Sequence, residues 1–406
     1  MKSKQIVLAI LLMFVSTAAW AGGVIHNSNQ STEYDRTLTR NAATDSADIA
    51  HYNPAGLVWM QDGFYLNMGN QFIFKEYSHG IEGVDQYYKF KDTDPIYLFP
   101  GVFAVFKKGP LALFTTFTVP AGGGSFNYKD GIIFGTSPQE DINAEGFAAH
   151  YAVSMGASYK FSKMFSLGMA LRLVSATGSV DANGTLFGNT GTLQKYEVSS
   201  LGFGGVISLN FRPMKNLLLA ARYETRVVLD WEYDNYEFVL GGDAPGDYRE
   251  DLPPVIGLGA SYKFNQFRFE ANMNIYLNKM ATWEDPENEN YSEDEFDNGF
   301  EISTSVAWSL NKMFEFSFGA MYTNSGADKY VYDMFRPQLD CITVGGGLRA
   351  RLMDNLDINL ALTTTNYFDD TLDSDKENDS NPEIDLTKWT SVIAFSLQYR
   401  FDLNTK

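Results

Sequence analysis

Fourteen stretches of alternating apolar and polar residues, joined by connections that are by turns very short and long, constrain this chain more than any other feature. Side chains alternate across a strand, so each stretch offers one face suited to lipid and one suited to water. Residues 266–279 show the unit most cleanly. Phe267, Phe269, Ala271, Met273, Ile275 and Leu277 fall on one face, and Arg268, Glu270, Asn272, Asn274, Tyr276 and Asn278 on the other. An even number of such strands predicts an all-β fold, a 14-stranded antiparallel transmembrane β-barrel. A soluble β-sandwich also alternates, but strands there average about 5–6 residues, and these run to twelve or more.

The spacing places strands at 63–77, 96–107, 111–119, 147–161, 164–179, 199–212, 215–230, 252–264, 266–281, 299–310, 313–325, 340–353, 355–367 and 386–401. Six connections are tight, around Lys108-Gly109, Ser162-Lys163, Pro213-Met214, Asn265, Asn311-Lys312 and Asp354; the other seven are long and polar. With the tight turns facing the periplasm, both termini lie there. The last strand carries Phe395, Leu397, Tyr399 and Phe401 on one face, like the terminal strand of bacterial outer-membrane barrels, followed by a short tail, 402–406.

Residues 1–21 combine Lys2 and Lys4, an apolar run Ile6–Val15 and Ala19-Trp20-Ala21, the pattern of a cleaved secretory signal peptide. Export to the bacterial outer membrane is the expected localisation. The single cysteine, Cys341, precludes an internal disulfide or a cysteine zinc site. A net charge of -19 excludes nucleic acid as a partner. Its acid gathers in two expected loops, Glu284–Asp297 and Asp369–Glu383. The 23 tyrosines and 31 phenylalanines suit aromatic girdles at two membrane interfaces.

Residues 22–62 precede the barrel, 63–401, and carry no strand pattern. They are polar and contain Asn53-Pro54-Ala55-Gly56-Leu57, a turn followed by apolar residues. A barrel of fourteen strands would leak unless filled, so this segment is expected to fold inside the lumen as a hatch of short helices.

No enzyme is expected. Of the four histidines, His26, His51, His79 and His150, the last falls on the lumenal register and not at the lipid face where a phospholipase Ser/His pair would stand. Gly202, Gly204, Gly205 and Gly345-Gly346-Gly347 sit inside strands, where they mark bends or close backbone approach. Asp373, Asp375, Glu377 and Asp379 alternate like calcium ligands without the required glycine, so a solvated acidic loop is the reading. No cofactor and no metal is expected. By register Arg172, Arg222, Arg226, Arg268, Arg349 and Arg351 point into the lumen with Glu224, Glu270, Glu301 and Glu315. They either pair with one another and the hatch, or one receives a substrate carboxylate through a bidentate pair.

Arg40-Asn41-Ala42-Ala43-Thr44-Asp45 followed by Asn53, Pro54, Ala55 and Gly56 resembles the hatch signature of the FadL-type outer-membrane channels for long-chain fatty acids and other hydrophobic compounds. Val119-Pro120-Ala121-Gly122 and Leu252-Pro253-Pro254 are further matches, whereas Gly22-Gly23-Val24 departs from the usual start. The resemblance implies a barrel closed by an N-terminal hatch, with a kink in the third strand, at Pro120, Ala121 and Gly122, that opens the wall sideways. It implies passive uptake of hydrophobic molecules, fatty acids or aromatic hydrocarbons, by lateral diffusion, with long-chain fatty acids foremost. Residues Phe126, Tyr128, Ile132, Ile133 and Phe134 would offer an apolar lip to the solute. The other partners expected are outer-membrane lipid and lipopolysaccharide, and the barrel is expected to be a monomer. The alternative is a FadL-like barrel serving as a shuttle or anchor for secreted proteins, with its acidic loops as the docking surface.

Overall fold

The computed structural model describes residues 26–134, 137–186, 188–238, 244–284, 290, 292–373 and 382–403. Fourteen strands make one closed antiparallel barrel. They are β1 (Gly63–Glu82), β2 (Ile96–Lys108), β3 (Leu111–Tyr128), β4 (Asn143–Lys160), β5 (Phe165–Leu186), β6 (Asn189–Met214) and β7 (Leu217–Glu224). The second half is β8 (Val255–Phe264), β9 (Phe267–Tyr276), β10 (Gly299–Ser309), β11 (Phe314–Asn324), β12 (Cys341–Met353), β13 (Leu356–Tyr367) and β14 (Ile384–Phe401). β1 closes the ring on β14, from Phe64↔Phe401 to Gly80↔Asp385. Closure satisfies backbone groups that lipid cannot, which is what allows strands to cross a bilayer. Burial is inverted relative to a soluble sheet: Phe267 and Phe269 are exposed, while Arg268 and Glu270 are buried.

The largest departures from the spacing-based expectation are in β3, β5, β6 and β7. β3 does not end at Val119 but runs to Tyr128, because β4 continues to pair with it. β7 ends at Glu224, and Asp230–Phe238 then forms a separate ribbon along β6. β5 and β6 meet in a tight hairpin, Leu186↔Asn189, where a long loop was expected, and β4 accompanies β5 as far as Asn143↔Asn183. The signal peptide expected at 1–21 lies outside the described residues, as do Asp375, Glu377 and Asp379.

The N-terminal segment folds against the lumenal side chains. Helix α1 (Thr32–Thr37) is capped by Ser31, whose Oγ accepts from the Tyr34 N–H at 3.1 Å, and ends on Leu38 in the left-handed region. Helix α2 (Ile49–Tyr52) leads into a 3-10 turn, Pro54–Trp59. Helices this short leave most of their terminal backbone groups without internal partners, and lumenal hydroxyls supply them. Ser303 Oγ donates to Leu38 O at 2.7 Å and Thr363 Oγ1 to Asp35 O at 3.0 Å. At the Asn53–Gly56 turn, Ser158 donates to Pro54 O and Ser166 to Ala55 O, while Ala55 N donates to Ser208 Oγ at 2.8 Å. Three consecutive strands thus hold one dipeptide.

The fit is tight enough to require glycine in the wall. A Cβ on Gly319 would lie 2.1 Å from Thr37 O, and one on Gly168 would lie 2.5 Å from Ala55 N. Gly319→Val should therefore lift α1 from the wall. Faster amide hydrogen exchange is expected at residues 32–38, with exchange in the strands unchanged. Unaltered exchange there would show that the helix has room to spare.

Candidate functional site

The ladder breaks between β2 and β3. β2 pairs with β3 only from Val102↔Phe117 to Lys108↔Leu111. Above that level residues 96–101 still pair with β1, as far as Ile73↔Ile96, but no residue of β3 pairs with them among the described residues. On its other side β3 stays joined to β4 through two register shifts, Thr118/Ala121 and Gly122/Gly124. Gly122 and Gly123 adopt φ +61° and +89°, a region other residues rarely enter. Pro120 has no N–H to give a ladder. Pro120, Ala121 and Gly122 thus lie at a bend where β3 leaves β2.

The N-terminal segment covers this break from inside. His26 bridges Ala121, and Asn27 N donates to Pro120 O at 2.7 Å. Asn27 Nδ2 donates to Val119 O at 3.0 Å and Gly122 O at 2.7 Å. Gln30 Nε2 donates to Val119 O at 2.9 Å, and its Oε1 accepts from Val119 N at 2.8 Å. At the level where β2 does not pair, the Val119 and Gly122 carbonyls are satisfied by the Asn27 and Gln30 side chains, and Pro120 O by the Asn27 backbone. Ile73, Ile96, Phe99, Val119 and Ala148 form an apolar cluster at this level. The Phe99 ring crosses toward β3, where a Cβ on Gly123 would lie 2.7 Å from it.

The long-loop end of the barrel is filled by a larger apolar cluster that includes Tyr77, Phe126, Tyr128, Trp231, Trp283 and Phe335. The expected apolar lip is corrected here: Phe126, Tyr128, Ile132 and Ile133 are at most 3% exposed and belong to this plug. Segment 325–340 supplies Phe335, whose ring stacks on Phe126 with centroids 5.4 Å apart. Tyr332 anchors that segment by donating to Asp370 at 2.8 Å; burial, together with that bond, pushes its phenol pKa up and keeps it a donor. At the short-turn end lies a polar vestibule of about 550 Å³ lined by Asp45, Trp59, Lys263, Arg268, Arg349 and Arg351 among others.

The six arginines fall in three settings. Arg172 pairs with Glu224, as does Arg222 at 3.2 Å, and Arg222 also donates to Tyr52 O at 3.0 Å. Arg268 reaches Asp45 at 2.7 Å and Glu270 at 3.4 Å, and Arg349 reaches Glu315 at 2.9 Å and Asp45 at 3.3 Å. Arg226 lies past the end of β7 and is 40% exposed, pairing with Asp251 at 3.5 Å; Arg351 is at the short-turn rim, 43% exposed, and pairs with Asp357 at 2.8 Å. Each already has a carboxylate. Glu301 is buried and accepts from Ser28, Asn274 and Tyr276. His150 is buried in the lumen, edge-on to Trp231. Asn27, Gln30 and Phe99 were not singled out by sequence reasoning, although a Pro-Gly pair directly after Phe99 marks the place.

A family model described as outer membrane protein transport protein (OMPP1/FadL/TodX) matches residues 12–403. Among solved structures, a Pseudomonas aeruginosa FadL homologue aligns at 14% identity, over 94% of this chain and 100% of that one, with a TM-score of 0.70. The Pseudomonas putida toluene transporter TodX aligns at 14% identity over 92% and 99%, with a TM-score of 0.65. The Ralstonia pickettii toluene transporter TbuX aligns at 15% identity over 92% and 98%, with a TM-score of 0.61. At such identities these structures bear on the fold alone. No curated protein matches the chain by sequence.

Proposed function

Because this chain belongs to the OMPP1/FadL/TodX family of outer-membrane transport proteins, we propose that it takes up hydrophobic molecules passively and releases them sideways through the wall between β2 and β3. The observation that carries this reading is the missing β2–β3 ladder beside an apolar cluster that holds Phe99 and Val119. An aqueous exit offers an alkyl or aryl group nothing, whereas each buried CH₂ gains about 0.8 kcal/mol. A solute would enter among the aromatic side chains at the long-loop end, pass the N-terminal segment near Asn27 and Gln30, and slip past Phe99 into lipid. Release of Asn27 from Val119 and Gly122 opens that passage.

Long-chain fatty acids remain the substrate class to test first, with neutral aromatic hydrocarbons beside them. The pairing of the lumenal arginines weighs toward neutral solutes, since a fatty-acid carboxylate would have to displace Glu224, Asp45 or Glu315 from an existing pair. The test is a panel of radiolabelled hydrophobic solutes taken up by cells with and without the protein. Faster uptake of uncharged aromatics than of fatty acids is expected. Equal rates for both strains across the panel would remove transport of these solutes from the protein's role.

A further inference from the structure

A second site lies where α1 meets β13 and β14. A small cavity of about 30 Å³ is lined there by Asp35, Asn29, Thr363, Thr365 and Thr390, with Leu38, Tyr367 and Val392 forming an apolar side. Asp35 is 1% exposed, and neither of its carboxylate oxygens has a hydrogen-bond or ion-pair partner among the described residues. The other acids of the N-terminal segment are provided for. Asp45 and Asp48 pair with Arg40, and Glu33 accepts from Asn67, Asn359 and Ser396. Among the described acids of the segment, Asp35 alone has neither carboxylate oxygen bonded, and it shares the cavity lining with Thr363, Thr365 and Thr390.

Burying an uncompensated carboxylate is costly, so a counter-charge or a proton must offset it. The cavity exceeds the ~10–15 Å³ that one water needs, which leaves room for one ion between carboxylate and hydroxyl oxygens. The polar side of its lining offers oxygen ligands, which suit a hard cation. A divalent ion such as calcium draws several carboxylates into its shell, whereas this site offers one. An organic ammonium carrying an alkyl tail is too large. We propose that the cavity binds a monovalent metal cation, sodium or potassium in size and charge, between Asp35 and the threonine hydroxyls of β13 and β14. The ion would fasten α1 to the wall beside the bond from Thr363 to Asp35 O, next to the residues that cover the break.

The test uses the full chain in detergent. Crystals soaked in thallium(I) should show anomalous density in the cavity beside the Asp35 carboxylate. Solutions at equal ionic strength should give a higher Tm in sodium or potassium chloride than in choline chloride, and Asp35→Asn should abolish that difference. The thallium peak decides the matter even if Asp35→Asn fails to fold. Absence of the peak, with or without a salt effect on Tm, would overturn the proposal and leave a protonated Asp35.

Discussion

Cells whose barrel lacks both Pro120 and Gly123 are expected to take up a hydrophobic solute no faster than cells without the protein. β3 carries one surplus residue at each of its two register shifts against β4. Removing one residue from each restores one-to-one pairing, Thr118-Val119-Ala121 against Ala152-Tyr151-His150 and Gly122-Gly124 against Ala149-Ala148. Because side chains alternate with a period of two, a loss of two residues leaves every downstream side chain on its own face. The straightened strand could then extend its ladder to β2, setting Ala121 opposite Phe99 and closing the break. Uptake should fall to background while surface level and resistance to unfolding on an unheated detergent gel stay normal. Wild-type uptake by a folded double-deletion protein would eliminate the lateral exit. A bulky replacement at Gly122 is a poorer probe, since even a Cβ there would lie 2.5 Å from Ala148 O, so strain alone could account for a loss.

Arg40→Met should loosen the N-terminal segment and raise the conductance of the barrel to small ions. Arg40 is fully buried, holds Asp48 in a bidentate pair at 2.9 and 2.6 Å, and reaches Asp45 at 3.0 Å. Asp48 in turn accepts from the α1 cap, Ser31, at 2.8 Å. One guanidinium therefore joins the start of α1 to the start of α2. Removing one partner of a buried pair costs about 3–5 kcal/mol because the other charge is left stranded. That cost should fall on the segment and spare the strand ladder, so the protein should still migrate as a closed barrel. Asp48→Leu added to Arg40→Met should recover most of the loss, since replacing both partners is close to neutral. Planar-bilayer recordings indistinguishable from wild type would show that the pair does not hold the segment in place.

The barrel was legible in the sequence because its period is short and local. Phe267 and Arg268 declare their faces from adjacent positions, without reference to anything distant. The Asn53–Gly56 turn was also readable, but not the serines that hold it, since Ser158, Ser166 and Ser208 come from three strands. Asn27 and Gln30 looked merely polar; their acceptor, Val119, lies about ninety residues on. Alternation alone ended the third strand at Val119, and the kink at Pro120, Ala121 and Gly122 came from the resemblance and from a proline that cannot donate to a ladder. In fact only one edge fails there, and a linear pattern does not distinguish a strand that stops from one that loses a single neighbour. The inward register of Arg172, Arg222, Arg268 and Arg349 was plain, whereas their partners across the lumen depend on closure. Arg226 escaped because β7 ends two residues before it.

The β1–β14 seam has a consequence for the order in which this molecule can come into being. Residues 26–62 lie inside a wall completed by the last strand, and Gln398 and Ser396 of that strand bond Ala47 and Glu33. With Gly319 and Gly168 pressed against it, the enclosed segment could not be threaded into a finished ring. Residues 26–62 would have to be in place before β14 closes on β1, so interior and enclosure would be completed together.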